Sequence, residues 1–136
     1  MDQPDIAAPV ADLDSSFHWE GLRSHQVLLQ CCGDCKSVRF PPMPTCPYCA
    51  SPDFDVRQVE GGGEIYSWIV VHRAFAQEFA SQVPYTLLTV SLDEGCRIVG
   101  RLASGTPAFG ARVRPVFHDH KDWTELRFGP EEGDKP

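Results

Sequence analysis

Alternating apolar and polar positions predict a run of short strands in the second half of the chain. From Glu64 the pattern takes a period of two and stays apolar on both faces up to His72, as in a strand covered on both sides. Similar runs follow, and together they predict five strands at 64–72, 86–92, 96–102, 112–118 and 123–128. Pro115 places the fourth strand at an edge or a bulge.

The connections between these strands indicate how they close. Asp93, Glu94 and Gly95 form a tight turn that predicts a hairpin. A longer segment, 73–85, separates the first two strands, and Pro84 marks its end. Phe75 and Phe79 are four residues apart, so one helical turn would present both rings together. Five strands with one hairpin and a longer inserted segment predict an OB-fold barrel, whose closure removes exposed strand edges.

The first half of the chain has a different organisation. Residues 1–14 are rich in Ala, Pro and Asp and are predicted to be disordered. A short helix is predicted to start at Ser15 or Ser16, with Glu20 in its first turn. Its apolar residues, and the strands expected to follow it, are Phe17, Trp19 and Leu22, then 27–30 and 54–60.

The three glycines at 61–63 mark a junction between two units. We therefore expect an N-terminal helix and ribbon at 15–60, a barrel domain at 61–129 and an acidic tail at 130–136. The predicted fold class is mainly β.

Two Cys-x-x-Cys pairs predict a metal site. The pairs are Cys32 with Cys35 and Cys46 with Cys49, and ten residues separate them, enough for a short hairpin. Four thiolates complete a tetrahedral zinc shell and leave no position for water or substrate. The spacing therefore predicts a structural Zn²⁺ in a zinc ribbon.

Other interpretations of the cysteines are disulfides, a redox dithiol and iron. Residues 1–27 lack the basic start and apolar core of a secretory signal, which disfavours disulfides. A Cys-Pro-Tyr-Cys dithiol needs its first cysteine at a helix start after a strand, but residues 40–44 are proline-rich. Rubredoxin-like iron sites separate their pairs more widely. Cys31 lacks the two-residue spacing to Cys35, and Cys96 is expected to be a small buried hydrophobe.

Charge and hydropathy limit the possible partners. The net charge is −7, and residues 61–129 are balanced with seven acidic and seven basic side chains. Nucleic-acid binding is disfavoured because no basic footprint is visible. No apolar run approaches the roughly 20 residues of a membrane span. We expect a cytoplasmic protein that does not bind membranes.

The order of several motifs resembles the DUF35 family of OB-fold, acyl-CoA-associated proteins with a rubredoxin-like zinc ribbon. The resemblance covers about residues 17–128, and two positions depart from the family pattern: Lys36 replaces a usual Gly, and His18 spreads the aromatic pair of the helix. The motifs that carry it are Phe-x-Trp-Glu-Gly-Leu at 17–22, Gln30 before the first pair, Arg-Phe-Pro-Pro at 39–42, Gly-x-Ile-Tyr-Ser at 63–67, Val-Pro-Tyr at 83–85 and Leu-Asp-Glu-Gly-x-Arg at 92–97.

This resemblance implies a non-catalytic accessory subunit. Family members bind thiolases, acyl-CoA synthases or lipid-transfer-protein-type aldolases and help to form or shield the acyl-CoA site. It implies an apolar surface formed by Phe75, Phe79 and Tyr85. It also implies that arginines near this surface contact CoA phosphates or acidic partner residues; the candidates are Arg73 and Arg97, with Arg101 as a further one. Alternatively, the rings fill the barrel mouth and the arginines lie in water.

Two further function classes remain open from the residues. A single-stranded nucleic-acid-binding protein would need a continuous basic and aromatic strand face. An independent enzyme would need a phosphate loop, a nucleophile elbow or an activated nucleophile, and the sequence contains none of these motifs. His118 and His120 flank Asp119, but they lie in a predicted polar turn and are expected to be solvated.

Overall fold

The computed structural model describes residues 6–131 and contains a small sheet followed by a closed barrel. The mainly β fold class is confirmed. The chain contributes one α-helix and one 3-10 helix to this described region, and its elements in chain order are α1 (Ser16–Arg23), β1 (Val27–Cys32), β2 (Val38–Arg39), β3 (Phe54–Val59), β4 (Gly63–Val71), the 3-10 helix (Gln77–Phe79), β5 (Tyr85–Leu92), β6 (Arg97–Leu102), β7 (Arg112–Asp119) and β8 (Thr124–Pro130).

Helix α1 begins after Ser15, as predicted, but it starts differently in detail. The Ser15 hydroxyl donates a hydrogen bond to the Asp12 carboxylate at 2.8 Å and makes no side-chain cap to the helix. Glu20 lies beyond the first turn, which holds no acidic residue. Leu22 is buried in the core, and the Trp19 ring meets the Trp123 ring edge-on with centroids 6.1 Å apart. The helix therefore packs against the barrel through its aromatic side.

The first sheet has the order β2-β1-β3, and both pairings are antiparallel. Its central strand pairs Gln30 with Arg39 of β2 and Val27 with Val59 of β3. Strand β2 is only two residues long, which explains why periodicity could not reveal it. The sheet holds the end of β1, where the first cysteine pair begins, next to the segment that leads to the second pair.

The barrel closes in the order β4-β5-β6-β8-β7, and all five predicted strands are present. Neighbours are antiparallel except β6 and β8, which are parallel. Gly63 pairs with Leu92, and a Cβ at this position would collide with the Ser91 carbonyl oxygen. A glycine is therefore required where β4 enters the barrel.

One hydrophobic core joins the two units. Leu22 of α1 and Val27 and Leu29 of β1 belong to the same buried cluster as the barrel residues. The cluster members from the barrel are Ile65, Leu88, Val90, Leu92, Ile98, Val113, Leu126 and Phe128. Because burial of each such side chain contributes about 1.5–3 kcal/mol, the helix and β1 stabilise the barrel as well as the ribbon.

The chain termini are partly packed. Residues 1–5, part of the predicted disordered N-terminus, lie outside the described residues, as do 132–136 of the predicted acidic tail. Ile6 is buried, and its carbonyl oxygen accepts a hydrogen bond from Trp123 Nε1 at 2.7 Å, a contact that the sequence did not predict. Within residues 6–131 we find no helix with the length and apolarity needed to cross a membrane.

The prediction of a helical segment at 73–85 is wrong. Only the three residues Gln77–Phe79 form a 3-10 turn, and Ala76 before them is extended with φ −128° and ψ 147°. A short helix in water depends on a buried face, and this turn has no buried residue. The segment is instead an exposed connection between β4 and β5, in which Gln82 is buried.

Candidate metal centre and partner surface

The four cysteines predicted as metal ligands lie together. All four Sγ atoms are within 4.8 Å of one another. Cys32 Sγ is 3.6 Å from Cys49 Sγ, and Cys35 Sγ is 3.6 Å from Cys46 Sγ. Sulfurs at the corners of a tetrahedron with zinc bonds of about 2.3 Å would be about 3.8 Å apart. The cluster therefore has the size of a four-thiolate zinc shell.

The two pairs adopt the same backbone turn. Cys32 N donates to the Ser37 carbonyl at 2.8 Å, and Cys46 N donates to the Ser51 carbonyl at 2.9 Å, five residues ahead in each case. The residue after each pair has a left-handed backbone, with φ 66° at both Lys36 and Ala50. This conformation explains why a glycine would suit position 36 and shows that Lys36 adopts the turn nonetheless.

Backbone and side-chain donors favour the thiolate form that binds metal at Cys32 and Cys46, whereas the neighbouring thiols raise the pKa of Cys49 to about 12. The amides of Cys35 and Asp34 each lie 3.4 Å from Cys32 Sγ and lower the pKa of the Cys32 thiol. The Ser37 hydroxyl, 3.5 Å from Cys46 Sγ, and the Tyr48 amide lower the pKa of the Cys46 thiol to about 6. These donors are supplied by the two turns themselves.

These observations fit a structural zinc ion and not a disulfide or a redox dithiol. The 3.6 Å separations across the pairs far exceed the disulfide bond length of about 2.05 Å. The second pair lies in a turn and not at a helix start, so the arrangement of a redox dithiol is absent from 46–49. Cys32, Cys35, Cys46 and Cys49 are positioned to hold the ion, which would cross-link the ribbon. Cys31 is buried outside the shell, and Cys96 is half-buried before β6.

A network of buried polar groups links β1, β2 and the segment between the two cysteine pairs. The Gln30 side-chain oxygen accepts hydrogen bonds from Arg39 Nε at 3.0 Å and Met43 N at 2.9 Å. The Gln30 amide donates to the Met43 carbonyl at 3.0 Å, and the Arg39 guanidinium carbon lies 5.3 Å from the Phe54 ring centre. Gln30 and Arg39 belong to the motifs that suggested the family, but their contact with each other was not predicted.

The predicted partner residues do not all lie together, and their contacts define three places. Arg73 and Phe75 are both exposed in the β4–β5 connection, where the guanidinium carbon lies 5.5 Å from the ring centre. Phe75 has 84% of its surface exposed, the highest value among the aromatic residues of the described chain. This pair projects into solvent and is free to meet a partner.

Phe79 and Tyr85 form the second place. Their ring centres are 6.1 Å apart, and both side chains are half-buried. The guanidinium carbon of Arg101 lies 4.4 Å from the Tyr85 ring centre. Tyr85 therefore packs against Arg101, the additional arginine candidate.

Arg97 forms the third place, at the other end of the β5–β6 hairpin. It pairs with Ser91 in the strand register, about 20 Å along β5 from Tyr85, and its guanidinium carbon lies 3.7 Å from the Tyr66 ring centre. The structure does not bring Arg97 together with Phe79 and Tyr85.

His118 and His120 do not form the solvated turn expected from the sequence. His118 belongs to β7, and His120 is buried with its ring stacked on Trp123 at 4.6 Å. His120 Nε2 is 2.9 Å from Glu125 Oε1, which also accepts a hydrogen bond from Arg127 Nη2 at 2.9 Å. A turn rich in charges looks solvated in sequence, but here β8 returns alongside β7 and covers it.

His25 forms a second contact between a histidine and a carboxylate. His25 Nε2 lies 3.0 Å from Asp119, and the Thr124 hydroxyl donates to the same carboxylate. These two hydrogen bonds lower the pKa of Asp119, that from Thr124 most strongly. Because Thr124 donates to the carboxylate and not to the histidine, His25 does not activate it as a nucleophile.

The comparison with known families assigns the two parts of the chain to two domain families, and the boundary between the matches lies in β3. Residues 19–55 match the family described as "ChsH2, rubredoxin-like zinc ribbon domain". Residues 56–118 match the family described as "ChsH2, C-terminal OB-fold domain". Both descriptions agree with the cysteine cluster and the closed barrel found in the structure.

Individual relatives cover the chain to different extents. A probable enoyl-CoA hydratase alpha subunit of Thermomonospora curvata is 36% identical over 117 residues, 86% of this chain but 35% of the relative, so the chain spans about a third of that protein. A DUF35 domain-containing scaffold protein of Methanocaldococcus jannaschii is 31% identical over 109 residues, 76% of this chain and 77% of the relative. A solved structure described as "Ltp2-ChsH2(DUF35) aldolase" contains a chain that is 32% identical, with a TM-score of 0.81 and coverage of 92% of this chain and 100% of that one.

Proposed function

Because the chain belongs to the DUF35 family, we propose that it is a non-catalytic subunit of an enzyme that handles acyl-CoA thioesters. The partner in this proposal is a thiolase-superfamily enzyme, either a thiolase, an acyl-CoA synthase or a lipid-transfer-protein-type aldolase. The zinc ribbon keeps the N-terminal unit folded, and the barrel meets the partner. The acyl-CoA site would lie at the interface between the two chains.

The observation that carries the proposal is the match to the aldolase structure. The chain covers all of a chain described as part of an Ltp2-ChsH2(DUF35) aldolase. A match of 109 residues, which covers 77% of the archaeal relative, is to a protein described as a scaffold. A domain that recurs with different named activities is more consistent with an assembly role than with one chemistry of its own.

Exposed apolar side chains on the barrel support a docking surface. Phe75 is exposed in the β4–β5 connection, and Ile69 of β4 and Phe109 of the β6–β7 connection are 60% and 76% exposed. Phe109 lies 4.7 Å, centre to centre, from the ring of Trp68 of β4. Exposed aromatic side chains can anchor a protein partner, and Phe75 is the most exposed aromatic ring of the described chain.

The polar contacts of the described residues support the absence of independent catalysis. The acids that meet histidines, Asp119 and Glu125, hold them in ion-pair or hydrogen-bond contacts, and Glu125 also binds Arg127. Thr124 donates a hydrogen bond to Asp119. These contacts stabilise the β7–β8 turn, where His25 and His120 each meet a carboxylate.

Single-stranded nucleic-acid binding is the alternative function. One observation favours it, namely the exposed stack of Arg97 on Tyr66 on the barrel face. The net charge of −7 opposes it, because binding to phosphates releases counterions only where cations line the path. Titration of labelled oligonucleotide at low and high salt separates the two functions.

A turnover assay tests the proposal. The purified chain is expected to leave acyl-CoA thioesters unchanged in thiolysis, hydrolysis and retro-aldol assays, and to raise the activity of the co-purified partner enzyme. Measurable turnover by the chain alone, above that of a metal-stripped control, would count against the proposed role.

A further inference from the structure

Two buried arginines face each other across the only parallel ladder of the barrel. Arg101 of β6 is the register partner of Arg127 of β8. The two residues are 9% and 7% exposed. Two like charges held side by side and away from water are costly unless something compensates them.

The contacts of Arg101 and Arg127 with other described residues offset only part of the cost of burying these two charges. Arg127 Nη2 donates to Glu125 at 2.9 Å, and the same oxygen lies 2.9 Å from His120 Nε2. Arg101 Nη1 donates to the neutral side-chain oxygen of Gln82 and lies over the Tyr85 ring. The Glu125 carboxylate therefore contacts Arg127, whereas Arg101 contacts the neutral side chains of Gln82 and Tyr85. Burial and the charge of Arg127 lower the pKa of Arg101, consistent with an excess of positive charge.

The guanidinium of Arg127 also has an unsatisfied donor. Its Nε is buried without a hydrogen-bond partner among the described residues. A buried guanidinium donor without an acceptor costs free energy comparable to a lost charged hydrogen bond. An oxyanion that enters beside Arg127 would compensate both the charge and the missing acceptor.

A polar pocket of about 310 Å³ opens over this pair. Arg101 and Arg127 line it together with Tyr85, Thr86, Ser104 and Gly105, and Glu125 is not among its lining residues. The lining thus contains two cations and no carboxylate. Guanidinium forks bind tetrahedral phosphate oxygens in pairs.

We propose that the pocket between β6 and β8 binds a phosphoryl group, either of inorganic phosphate or of a phosphate ester, through Arg101 and Arg127. Gln82 and Tyr85 position Arg101, and Glu125 positions Arg127. The site is complete within this chain and does not rest on the proposed partner. If the pocket does not bind phosphate, the proposed accessory role is unaffected. If no partner enzyme is found, the proposed phosphate site is unaffected.

The test is a titration of the isolated chain with inorganic phosphate, followed by amide NMR shifts, against sodium chloride at equal ionic strength. Phosphate is expected to shift Thr86, Ser104 and Gly105. Arg101→Gln should weaken binding about tenfold or more, because it removes a charged donor pair. Arg57→Gln removes the same charge from the exposed face of β3 and should leave binding unchanged.

Three results would overturn the proposal: no phosphate-specific shift, shifts scattered over the surface, or equal weakening by R57Q and R101Q. If Arg101→Gln does not fold, Ser104→Ala provides the same test, and it should weaken phosphate binding several-fold. A parallel titration with AMP identifies the source. Equal affinity for both probes indicates the phosphoryl group alone, and tighter binding of AMP indicates an ester; both results require the arginine pair.

Discussion

The Arg39 guanidinium donates a hydrogen bond to the Gln30 side-chain oxygen at 3.0 Å, and both side chains are almost fully buried behind the zinc ribbon. Gln30 also binds both backbone groups of Met43. The contact joins β1 and β2 to the proline-rich segment between the cysteine pairs. The ribbon therefore has a second source of order besides the metal.

Replacing Gln30 tests this contact. Gln30→Ala removes the acceptor of Arg39, whose Nη1 is already buried without a partner among the described residues. We expect the free energy of unfolding to fall by about 2–4 kcal/mol, because a buried charge loses its hydrogen bond. Denaturant unfolding measures the change. The control is Gln58→Ala on the exposed face of β3, expected to stay within about 0.5 kcal/mol of wild type.

The metal is expected to be required by the ribbon more than by the barrel. Cys46→Ser removes one of the four thiolates and should lower the zinc content well below one ion per chain, since the shell is closed by protein ligands alone. Circular dichroism should keep the strand signal of the barrel, which has its own core. Metal analysis of Cys96→Ser serves as the control, because Cys96 lies outside the cluster. Full zinc occupancy in C46S would contradict this assignment.

Stability should depend on pH through Glu125. Burial is the largest single influence and acts to raise its pKa, but Arg127 and His120 together outweigh burial and hold the pKa below the usual value of 4.5. A lowered carboxyl pKa stabilises the fold above the unfolded-state value, and this stabilisation is lost as the pH falls below about 4.5.

The variant that isolates this effect is Glu125→Gln. It should lower the free energy of unfolding at pH 7 by about 2 kcal/mol and reduce the further loss between pH 5 and pH 3. Urea unfolding at several pH values measures both quantities. Glu64→Gln, at an exposed position on β4, should retain the wild-type dependence. An unchanged pH profile in E125Q would show that other carboxylates dominate acid unfolding.

Phe75 should contribute to partner binding without contributing to the fold. Phe75→Ala removes an 84% exposed ring, so the melting temperature and zinc content should not change. Affinity for the partner should fall about tenfold or more if the ring is buried at the interface. Surface plasmon resonance against the purified partner measures this loss. Tyr48→Ala removes an exposed aromatic ring from the ribbon and should bind normally.

Much of this architecture could be predicted because its signals are local. The cysteine spacing predicted the metal cluster, and the period-two pattern predicted all five barrel strands. The helix predicted at 73–85 did not form because Phe75 and Phe79 have helical spacing but share no buried face. Phe75 is exposed, Phe79 is only half-buried beside Tyr85, and Gln77–Phe79 forms a single 3-10 turn. A side-chain pattern cannot show whether a buried face exists.

The buried polar groups were hidden for a different reason. Arg101 and Arg127 become neighbours only through the parallel β6–β8 ladder, a long-range pairing that no local pattern specifies. His120 looked solvated because its neighbours in sequence are charged, whereas Trp123 and Glu125 cover it in the folded chain. The contacts of charged residues with each other depend on strand order, which the sequence did not supply.

Native mass spectrometry of the complex isolated with the tagged chain from its natural host tests the proposed role most directly. We expect an assembly with a fixed ratio of this chain to a thiolase-superfamily enzyme, and each copy of this chain should carry one zinc ion. Phe75→Ala should lower the yield of that assembly, and Tyr48→Ala should not. Recovery of the chain alone, or bound to nucleic acid, with full zinc and an intact fold would contradict the proposed accessory role.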